Sequence, residues 1–371
     1  MEKDSYRMDD SGGEYGTRRN MAFGSEPESL GPSPGAGGRR FIGIDGGGTK
    51  TACMIGDECG TIGAVCYGPS SSITSRPWDE VKRVLSDLIA QSLEQSRSEL
   101  SQLEGIFLGM AGADRSEAKE RLYAYMRELL PERVTVTIHN DAVTVLTAGT
   151  WGEKGIVLIS GTGSIACGYI PESDIYVRVG GWGYLLGDEG SGYDIGRQTL
   201  NAVMKQHDGR GKRTVLTERV LEHWSLPDPN RIITHVYGQP NVRTAIAEVS
   251  KLTVLAAQEG DEVADAIVTS AVEELAVLAA SAAAGLVERQ PGLQAAEMPL
   301  VLSGGLFQDN WFMNRLAGHE LIRSNGFHVN RLTVPPVTGC YLLALKQTGV
   351  RIDEGIRQRV EEWRQGGKHI E

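Results

Sequence analysis

Two glycine-rich segments of this sequence have residue types and a spacing that could bind a phosphate. The first, Asp45–Lys50, reads Asp-Gly-Gly-Gly-Thr-Lys, and the second, Ser160–Ser164, reads Ser-Gly-Thr-Gly-Ser; each lies between two apolar runs. Glycines leave the backbone N–H groups accessible, and successive N–H groups in such a turn can surround an anionic oxygen. A hairpin without a ligand is the alternative for either segment alone, but a tight hairpin needs fewer glycines. We therefore interpret both segments as phosphate-binding turns that join two strands.

The second turn also fits the fingerprint of dinucleotide-binding folds, because Gly161–Ala166 matches G-x-G-x-x-A. That fingerprint requires a helix to begin at the glycines. Here the apolar run Ile165–Ile170 favours a strand, so we do not expect a dinucleotide site. The G-x-x-x-x-G-K-[ST] pattern of a P-loop does not occur in the sequence.

Asp141 is the candidate acid for chemistry beside these turns. It follows the predicted strand Val134–Ile138 and precedes a run typical of a helix. A helix N-cap at Asn140 or Asp141 is the alternative interpretation. Between two phosphate turns we favour a general base that accepts the proton of an attacking hydroxyl. Phosphoryl transfer depends mainly on positioning and charge neutralisation, so one acid and a magnesium ion suffice, with Asp45 predicted near that ion.

Two further glycine segments suggest the other parts of such a site. The loop Gly180–Gly196 contains Trp182 and Asp188, and flat aromatic rings and carboxylates suit the faces and hydroxyls of a sugar. The alternative is a loop anchored by a buried Trp182, with Asp188 capping the next helix. Ser303–Gly305 follows a predicted strand, and its glycines would let the adenosine part of a nucleotide approach the backbone; a plain strand–helix turn is the alternative.

Composition excludes several other classes of protein. The chain has 371 residues and a formal net charge of −11, which argues against a nucleic-acid scaffold because that needs a basic face. We see no apolar run of membrane-spanning length and no secretory signal, and therefore expect a cytoplasmic protein without a membrane partner. The five cysteines form no CxxC pair and the histidines have no metal-ligand spacing, so we expect buried free thiols and no zinc site.

The elements that must position these residues alternate between strands and helices, which indicates an α/β fold. Residues 1–38 are rich in Gly, Ser, Glu and Pro, and we expect a disordered tail there. Predicted helices include Trp78–Ser96, a mostly helical span from about 200 to 290, and one that begins near Arg197; Phe327–Val334 is predicted as a strand. Because the strand–turn–strand unit occurs twice, we expect two similar half-molecules that face each other.

In these motifs the sequence resembles the N-acetylglucosamine kinases of the sugar kinase/Hsp70/actin superfamily. The resemblance spans about residues 41 to 346 and is most specific in the Gly-Gly-Trp-Gly-Tyr-Leu-Leu-Gly-Asp-Glu-Gly-Ser-Gly loop. It implies two ribonuclease-H-like domains of the actin/hexokinase type with an interdomain cleft. Residues 41–150 would form the first domain, completed by helices at about 337–366, and 151–336 the second, with a helical insertion.

The resemblance further implies that ATP with Mg²⁺ and a small-molecule amino sugar bind in the cleft, and that the sugar 6-hydroxyl is phosphorylated. It leaves a monomer or a homodimer open. It matches Asp141 to the acid that binds and deprotonates the sugar hydroxyl. The resemblance places these residues at ATP and its phosphates: Asp45, Gly46, Gly47, Gly48, Thr49, Lys50, Gly161, Thr162, Gly163, Gly304 and Gly305. Asp45 would also contact the magnesium ion through a water molecule. Residues implied at the sugar are Ser72, Asn140, Asp141, Ser164, Gly181, Trp182 and Asp188.

One position departs from the family pattern, and two other functions remain as alternatives. The family usually has an Asn near the sugar where this chain has Ser72, so the preferred amino sugar stays open among N-acetylglucosamine, glucosamine and N-acetylmuramic acid. The wider family also holds benzoyl-CoA reductase ATPase subunits and 2-hydroxyacyl-CoA dehydratase activators. Those iron–sulfur proteins need paired cysteines in loops, which the strand-borne cysteines here do not offer. A sugar sensor without turnover is the second alternative.

Overall fold

The computed structural model describes residues 38–366 except 49, 74 and 114–115. The expected disordered tail, residues 1–38, lies outside the described residues apart from Gly38. Within the described part, the chain forms two five-stranded sheets with helices around them, which confirms the predicted α/β class.

The first sheet has the strand order β3-β2-β1-β4-β5. Its first three strands form an antiparallel meander, and the last two pair in parallel with their neighbours. The strands are β1 (Arg40–Gly46), β2 (Lys50–Asp57), β3 (Ile62–Pro69), β4 (Leu103–Met110) and β5 (Thr135–His139). Helix α1 (Trp78–Gln95) buries Val81, Leu85 and Leu88, the stripe that its sequence periodicity predicts, and α2 (Ser116–Leu129) and α3 (Asp141–Thr150) follow.

The second sheet repeats the first one in topology. Its order is β10-β9-β6-β7-β8, so three antiparallel strands are again followed by two parallel ones. The strands are β6 (Gly155–Ser160), β7 (Ser164–Ile170), β8 (Ile175–Gly180), β9 (Pro299–Ser303) and β10 (His328–Arg331). In each sheet a glycine turn joins the central strand to its antiparallel neighbour, which confirms two similar halves built on the strand–turn–strand unit.

Most of the remaining helices lie between β8 and β9. These are α4 (Gly192–His207), α5 (Leu216–His223), α6 (Asn230–Tyr237), α7 (Val242–Glu248), α8 (Ser250–Gln258) and α9 (Glu262–Arg289). The chain ends with α10 (Asn310–Ala317), α11 (Glu320–Ser324), α12 (Pro336–Gln347) and α13 (Glu354–Gly366). The boundaries of the two halves as domains stay predictions.

Helix α9 corrects one expectation from the sequence. It is long and apolar enough to cross a bilayer on length and composition, although we expected no such run. The helix is rich in alanine, so many of its apolar side chains are small and the sequence shows no continuous run of large apolar side chains. In the structure its buried residues, among them Ile267, Val268 and Leu275, belong to the core that packs on the second sheet, so α9 is a core helix.

Three other details differ from the sequence expectations. Strand β8 was not predicted, because its short run between a turn and the glycine loop gives little periodicity. Helix α4 begins at Gly192 and not near Arg197, since Ser191 caps it by accepting a hydrogen bond from the Asp194 N–H. The predicted strand Phe327–Val334 is limited to His328–Arg331, the residues that pair with β9.

Helices α3 and α12 pack against each other between the two sheets. A Cβ atom on Gly339 of α12 would lie 1.9 Å from the backbone oxygen of Thr144 in α3, so only glycine permits this approach. The core around them contains Phe107 from the first sheet and Val157 and Val301 from the second. Helix α12 also packs against β1 of the first sheet, and α3 also packs against β6 and β9 of the second sheet.

Candidate functional site

The first glycine turn connects β1 to β2 and rests on a serine loop. A Cβ atom on Gly46 would lie 2.4 Å from Met110 Sδ and 2.7 Å from Ser71 Oγ, so a larger residue cannot occupy this position without a shift. The Ser70 hydroxyl donates a hydrogen bond of 2.9 Å to the Gly47 carbonyl oxygen. The serine loop that follows β3 therefore packs against the turn and holds its backbone in place.

The outer part of this turn is open. Among the described residues other than its chain neighbours, no atom lies within 4 Å of a Cβ built on Gly48, whereas a Cβ built on Gly47 lies 3.4 Å from the Lys50 carbonyl oxygen. Lys50 begins β2 with an exposed side chain, and its ammonium group lies 5.3 Å from the centre of the Tyr67 ring. Thr49 lies outside the described residues, so its contact with a phosphate stays a prediction. The accessible backbone and the nearby cation suit an anionic ligand.

Asp45 and Asp141 lie near each other at the ends of β1 and β5. Burial, and secondly the charge of Asp141, raise the pKa of the Asp45 carboxyl to about 7 against a lowering by the charge of Lys50. The like charge of the neighbouring carboxylate disfavours the ionised form of Asp45. The turn therefore lies beside a pair of acids that a bound cation would stabilise.

Asn140, and not Asp141, is the residue that caps helix α3. The Asn140 side-chain oxygen accepts a hydrogen bond of 2.8 Å from the Ala142 N–H, and Asp141 is the first residue of α3. His139 precedes them, and its Nδ1 accepts a hydrogen bond of 2.9 Å from the Asn140 N–H. Mainly through burial, the pKa of His139 is lowered to about 4, so this imidazole is neutral and weakly basic at pH 7.

The donor set fits magnesium bound with a phosphate but not a closed metal cage. Carboxylate oxygens are hard ligands of the kind that Mg²⁺ prefers, and Mg²⁺ keeps several waters or phosphate oxygens in its coordination sphere. Among the described residues, no group of three or more His, Cys, Asp or Glu side chains could hold a metal ion. Asp45 could therefore contribute through water to an ion that arrives with the nucleotide.

The second glycine turn is fastened to the glycine–tryptophan loop. The Gly161 N–H donates to the Gly163 oxygen at 2.9 Å, which closes the turn, and the Gly192 N–H donates to the Gly161 oxygen at 2.8 Å. The flanking hydroxyls of Ser160 and Ser164 donate to backbone oxygens of Gly190 and Glu189, at 2.9 and 2.6 Å. Strand β7 follows the turn, so the prediction against a dinucleotide fingerprint is confirmed.

A cavity of about 240 Å³ lies beside this turn. Its wall contains Gly161, Thr162 and Gly305, which we predicted at ATP, and also residues of α7 and α8: Thr244, Glu248 and Lys251. Gly304 has a φ of 107°, and a Cβ there would lie 2.2 Å from the Ser160 oxygen, so β9 and the turn meet in backbone contact. A larger cavity of about 510 Å³ between α4 and α9 contains none of the predicted site residues.

The glycine–tryptophan loop exposes its aromatic residue. Trp182 is 63% exposed, so the alternative of a loop anchored by a buried tryptophan is wrong. The Arg178 guanidinium lies 4.6 Å from the centre of the Trp182 ring and donates hydrogen bonds to the backbone oxygens of Gly180 and Gly181. The Trp182 ring is therefore exposed to solvent at the edge of the loop, with Arg178 packed against it.

Asp188 has the opposite environment, because it is only 3% exposed. Its carboxylate accepts a hydrogen bond of 2.9 Å from Arg243 Nη2, in an ion pair between the loop and α7. Since Ser191 caps α4, the alternative role of Asp188 as a helix cap is wrong. No sequence pattern indicated Arg243 or the cavity residues of α7 and α8, because only the fold brings these helices to the loop and the second turn.

Ser72 is buried beside the first turn. Its backbone oxygen accepts hydrogen bonds from the N–H groups of Ser75 and Arg76, which shape the loop before α1. It therefore lies on the side of the first half, as the resemblance implies for a sugar-site residue. Its contact with a sugar stays a prediction.

The comparisons with known proteins agree with this architecture. Residues 42–340 match the family described as BadF/BadG/BcrA/BcrD ATPases, which is most of the described chain. The chain belongs to this family. The resemblance proposed from the sequence is confirmed, because the matched range includes both glycine turns, Asp141 and the glycine–tryptophan loop.

Two curated relatives of this chain are named as amino-sugar kinases. The N-acetyl-D-glucosamine kinase of Dictyostelium discoideum is 34% identical over 317 residues, 82% of this chain and 97% of the relative. The N-acetylmuramic acid/N-acetylglucosamine kinase of Clostridium acetobutylicum is 38% identical over 235 residues, 63% of this chain and 76% of the relative.

Solved structures of similar chains support the fold. A candidate N-acetylglucosamine kinase from Chromobacterium violaceum superimposes with a TM-score of 0.63 at 25% identity, covering 83% of this chain and 99% of the other. A second, from Porphyromonas gingivalis, has a TM-score of 0.61 at 20% identity. The fold is thus the two-domain, ribonuclease-H-like fold of the actin/hexokinase type, as predicted.

Proposed function

We propose that this family member transfers the γ-phosphoryl group of ATP to the 6-hydroxyl of N-acetylglucosamine or a closely related amino sugar. The chain is a carbohydrate kinase, since its curated relatives at 34% and 38% identity are amino-sugar kinases. The observation that carries the finer proposal is the pair Asp45 and Asp141, whose charges interact beside a glycine turn with an open backbone.

Asp141 is the proposed general base. Asn140 already caps α3, and His139 is a weak base because burial lowers its pKa to about 4. Asp141 is therefore the acid of this segment that suits proton transfer from the attacking sugar hydroxyl. The proton would move to its carboxylate as the oxygen approaches phosphorus, and the ADP β-phosphate would be the leaving group.

The nucleotide site is proposed to include both glycine turns and the cavity beside the second. Gly46–Lys50 would bind phosphate oxygens from the first half, and Gly161–Gly163 would bind them from the second. Gly304 and Gly305 would contact the adenosine part, and Gly305 lines the cavity of about 240 Å³. Asp45 would hold magnesium through water, and this ion would neutralise the charge of the transferred phosphoryl group.

The sugar site is proposed on the glycine–tryptophan loop and the serine loop. Trp182 presents an exposed ring, which suits the face of a sugar; Gly181 precedes it in the chain, and the Ser164 hydroxyl is bonded to the same loop at the Glu189 oxygen. The buried carboxylate of Asp188 would accept hydrogen bonds from sugar hydroxyls, and Ser72 and Asn140 would approach from the first half. Closure of two domains, 41–150 with 337–366 and 151–336, would then exclude water.

The iron–sulfur alternative fits the cysteines poorly. Cys53, Cys66, Cys167 and Cys340 are buried, and only Cys59 is exposed. A cluster shared between two subunits needs a pair of accessible thiolates from each one. The cytoplasm is the compartment that we propose, since the substrates, ATP and a free sugar, are found there.

Turnover with a panel of sugars tests the proposal. Purified protein with MgATP is given N-acetylglucosamine, glucosamine, N-acetylmuramic acid or glucose, and ADP release is measured together with the phosphorylated product. We expect turnover with an N-acetylated amino sugar and little with glucose. ADP release without any sugar dependence would contradict the kinase, and saturable sugar binding without turnover would favour a sensor.

A further inference from the structure

Arg243 of α7 was not among the predicted site residues, but its side chain contacts three parts of the proposed site. Its Nη2 donates to the buried Asp188 carboxylate at 2.9 Å, and its guanidinium carbon lies 5.6 Å from the centre of the Tyr184 ring. A Cβ atom on Gly163 would lie only 2.6 Å from Nη2. One guanidinium therefore touches the second phosphate turn, the tip of the glycine–tryptophan loop and its acid.

The pairing with Asp188 is the feature that distinguishes Arg243. Its Nη2 is bonded to Asp188, while its Nε makes no hydrogen bond to the described residues, as is also the case for the Nε atoms of Arg127, Arg357 and Arg364. The backbone of Asp188 is unusual, with a φ of 62° in a region that non-glycine residues rarely occupy. Residues held in such regions cluster at functional sites.

We infer that Arg243 is a positioning residue that pairs with the Asp188 carboxylate and orients it toward the sugar, and that connects the glycine–tryptophan loop to the second phosphate turn. The inference rests on the proposed function, because it names the part of the sugar site that the sequence did not reveal. The planar guanidinium suits this task, since it can bind a carboxylate and lie against an aromatic ring at the same time.

The charges around Asp188 predict a measurable consequence. Burial raises the pKa of Asp188, while the Arg243 charge and hydrogen bonds from the Ser164 and Gly183 N–H groups lower it, and the Glu189 charge raises it. Loss of the Arg243 charge should move the pKa of Asp188 further upward. A protonated Asp188 accepts fewer hydrogen bonds, so sugar binding should weaken at a higher pH than in the unmodified protein.

The test compares Arg243→Met and Arg243→Lys with a matched control, Arg219→Met. Arg219 forms an ion pair with Glu259 on the surface of the helical region and touches none of the site residues. We expect Arg243→Met to raise KM for the sugar by at least about tenfold while KM for ATP changes much less. The acid limb of the kcat/KM profile for the sugar should move to higher pH. Arg243→Lys should recover part of both effects, because it keeps the charge but not the planar fork.

Direct sugar binding, measured by calorimetry with circular dichroism as a check on folding, separates this inference from the proposed function. If the unmodified protein binds but does not phosphorylate sugars, the kinase proposal fails while weaker binding by Arg243→Met still supports the inference. A folded Arg243→Met with unchanged sugar affinity and pH profile overturns the inference alone. Equal losses in Arg219→Met, or an unmodified protein that neither binds nor phosphorylates any sugar of the panel, overturn it as well.

Discussion

At the start of α3, the Asn140 amide caps the helix and the Asp141 carboxylate is the proposed general base. Because Asn140 supplies the cap hydrogen bond, a substitution of the acid that follows it leaves the helix cap in place. Replacement of Asp141 by Asn keeps the size and polarity of the side chain but removes the proton acceptor. We expect kcat for the sugar to fall by about 100-fold to 10,000-fold, the usual contribution of a general base.

Nucleotide affinity separates this effect from misfolding. Asp141→Asn should bind ATP about as well as the unmodified protein, which calorimetry measures directly. The exposed carboxylate of Asp208 offers a matched control, since Asp208→Asn changes an acid in an ion pair with Arg210 outside the site. Turnover by Asp141→Asn at the full rate would exclude the base assignment.

Asp45 should make the unliganded protein less stable as the pH rises. Its pKa in the folded chain is about 7, above the ordinary carboxyl value, chiefly because it is buried and secondly because of Asp141. The folded state therefore holds a proton that the unfolded state releases, and this stabilising contribution is present at low pH and lost between about pH 4 and 7. Asp45→Asn removes the acid, so we expect it to raise the free energy of unfolding at pH 8 by roughly 1–3 kcal/mol.

Denaturant unfolding without nucleotide, at pH 5 and at pH 8, measures this difference. The gain of Asp45→Asn over the unmodified protein should be small at pH 5 and clear at pH 8, while kinase activity falls sharply. Comparing the two proteins at each pH cancels the effect of other titrating groups such as His139. A variant that is less stable than the unmodified protein at pH 8 would show that the ionised carboxylate is well compensated.

At the scale of helices and strands, the sequence predicted what depends on neighbours along the chain. The strand–turn–strand units around Gly46 and Gly161 were visible because apolar runs and glycines alternate over a few residues. The duplicated sheet topology followed from their repetition. Helix α1 followed from its apolar stripe. In each case the signal lies within a short window of the sequence.

What the sequence could not predict depends on contacts between distant segments. Arg243 and Asp188 are 55 residues apart and meet only because α7 packs beside the second turn. The exposure of Trp182 was likewise invisible, since a tryptophan in a glycine loop can be an anchor or a ligand-binding ring. The core position of α9 required the structure too, because composition alone also fits a membrane helix. The sequence therefore indicated the two turns and the proposed base, whose contacts with ligands stay predictions, but not the helix that pairs with Asp188.

At the scale of the whole molecule, helices α3 and α12 pack against each other between the two sheets. Asp141 begins α3, and α12 packs against β1, the strand that contains Asp45 next to its last residue. Helix α3 also contacts β6 and β9 of the second sheet, so its position on α12 determines where Asp141 lies relative to the second sheet. The glycine at the crossing allows the two backbones to touch, and this direct contact holds α3 in its position.

Gly339→Ala tests this crossing. The new Cβ would lie 1.9 Å from the Thr144 oxygen and 2.8 Å from the Ala148 nitrogen, both backbone atoms of α3, so the helices must move apart. We expect the free energy of unfolding to fall by roughly 2–4 kcal/mol, since overpacking outweighs the better helix propensity of alanine. The activity of the folded fraction should fall as well, because Asp141 moves relative to the second turn. Gly355→Ala in α13 meets only the flexible ends of polar side chains and should leave both properties nearly unchanged. Thermal unfolding and steady-state turnover of the two variants measure this contrast, and equal behaviour would show that the crossing does not control the position of Asp141.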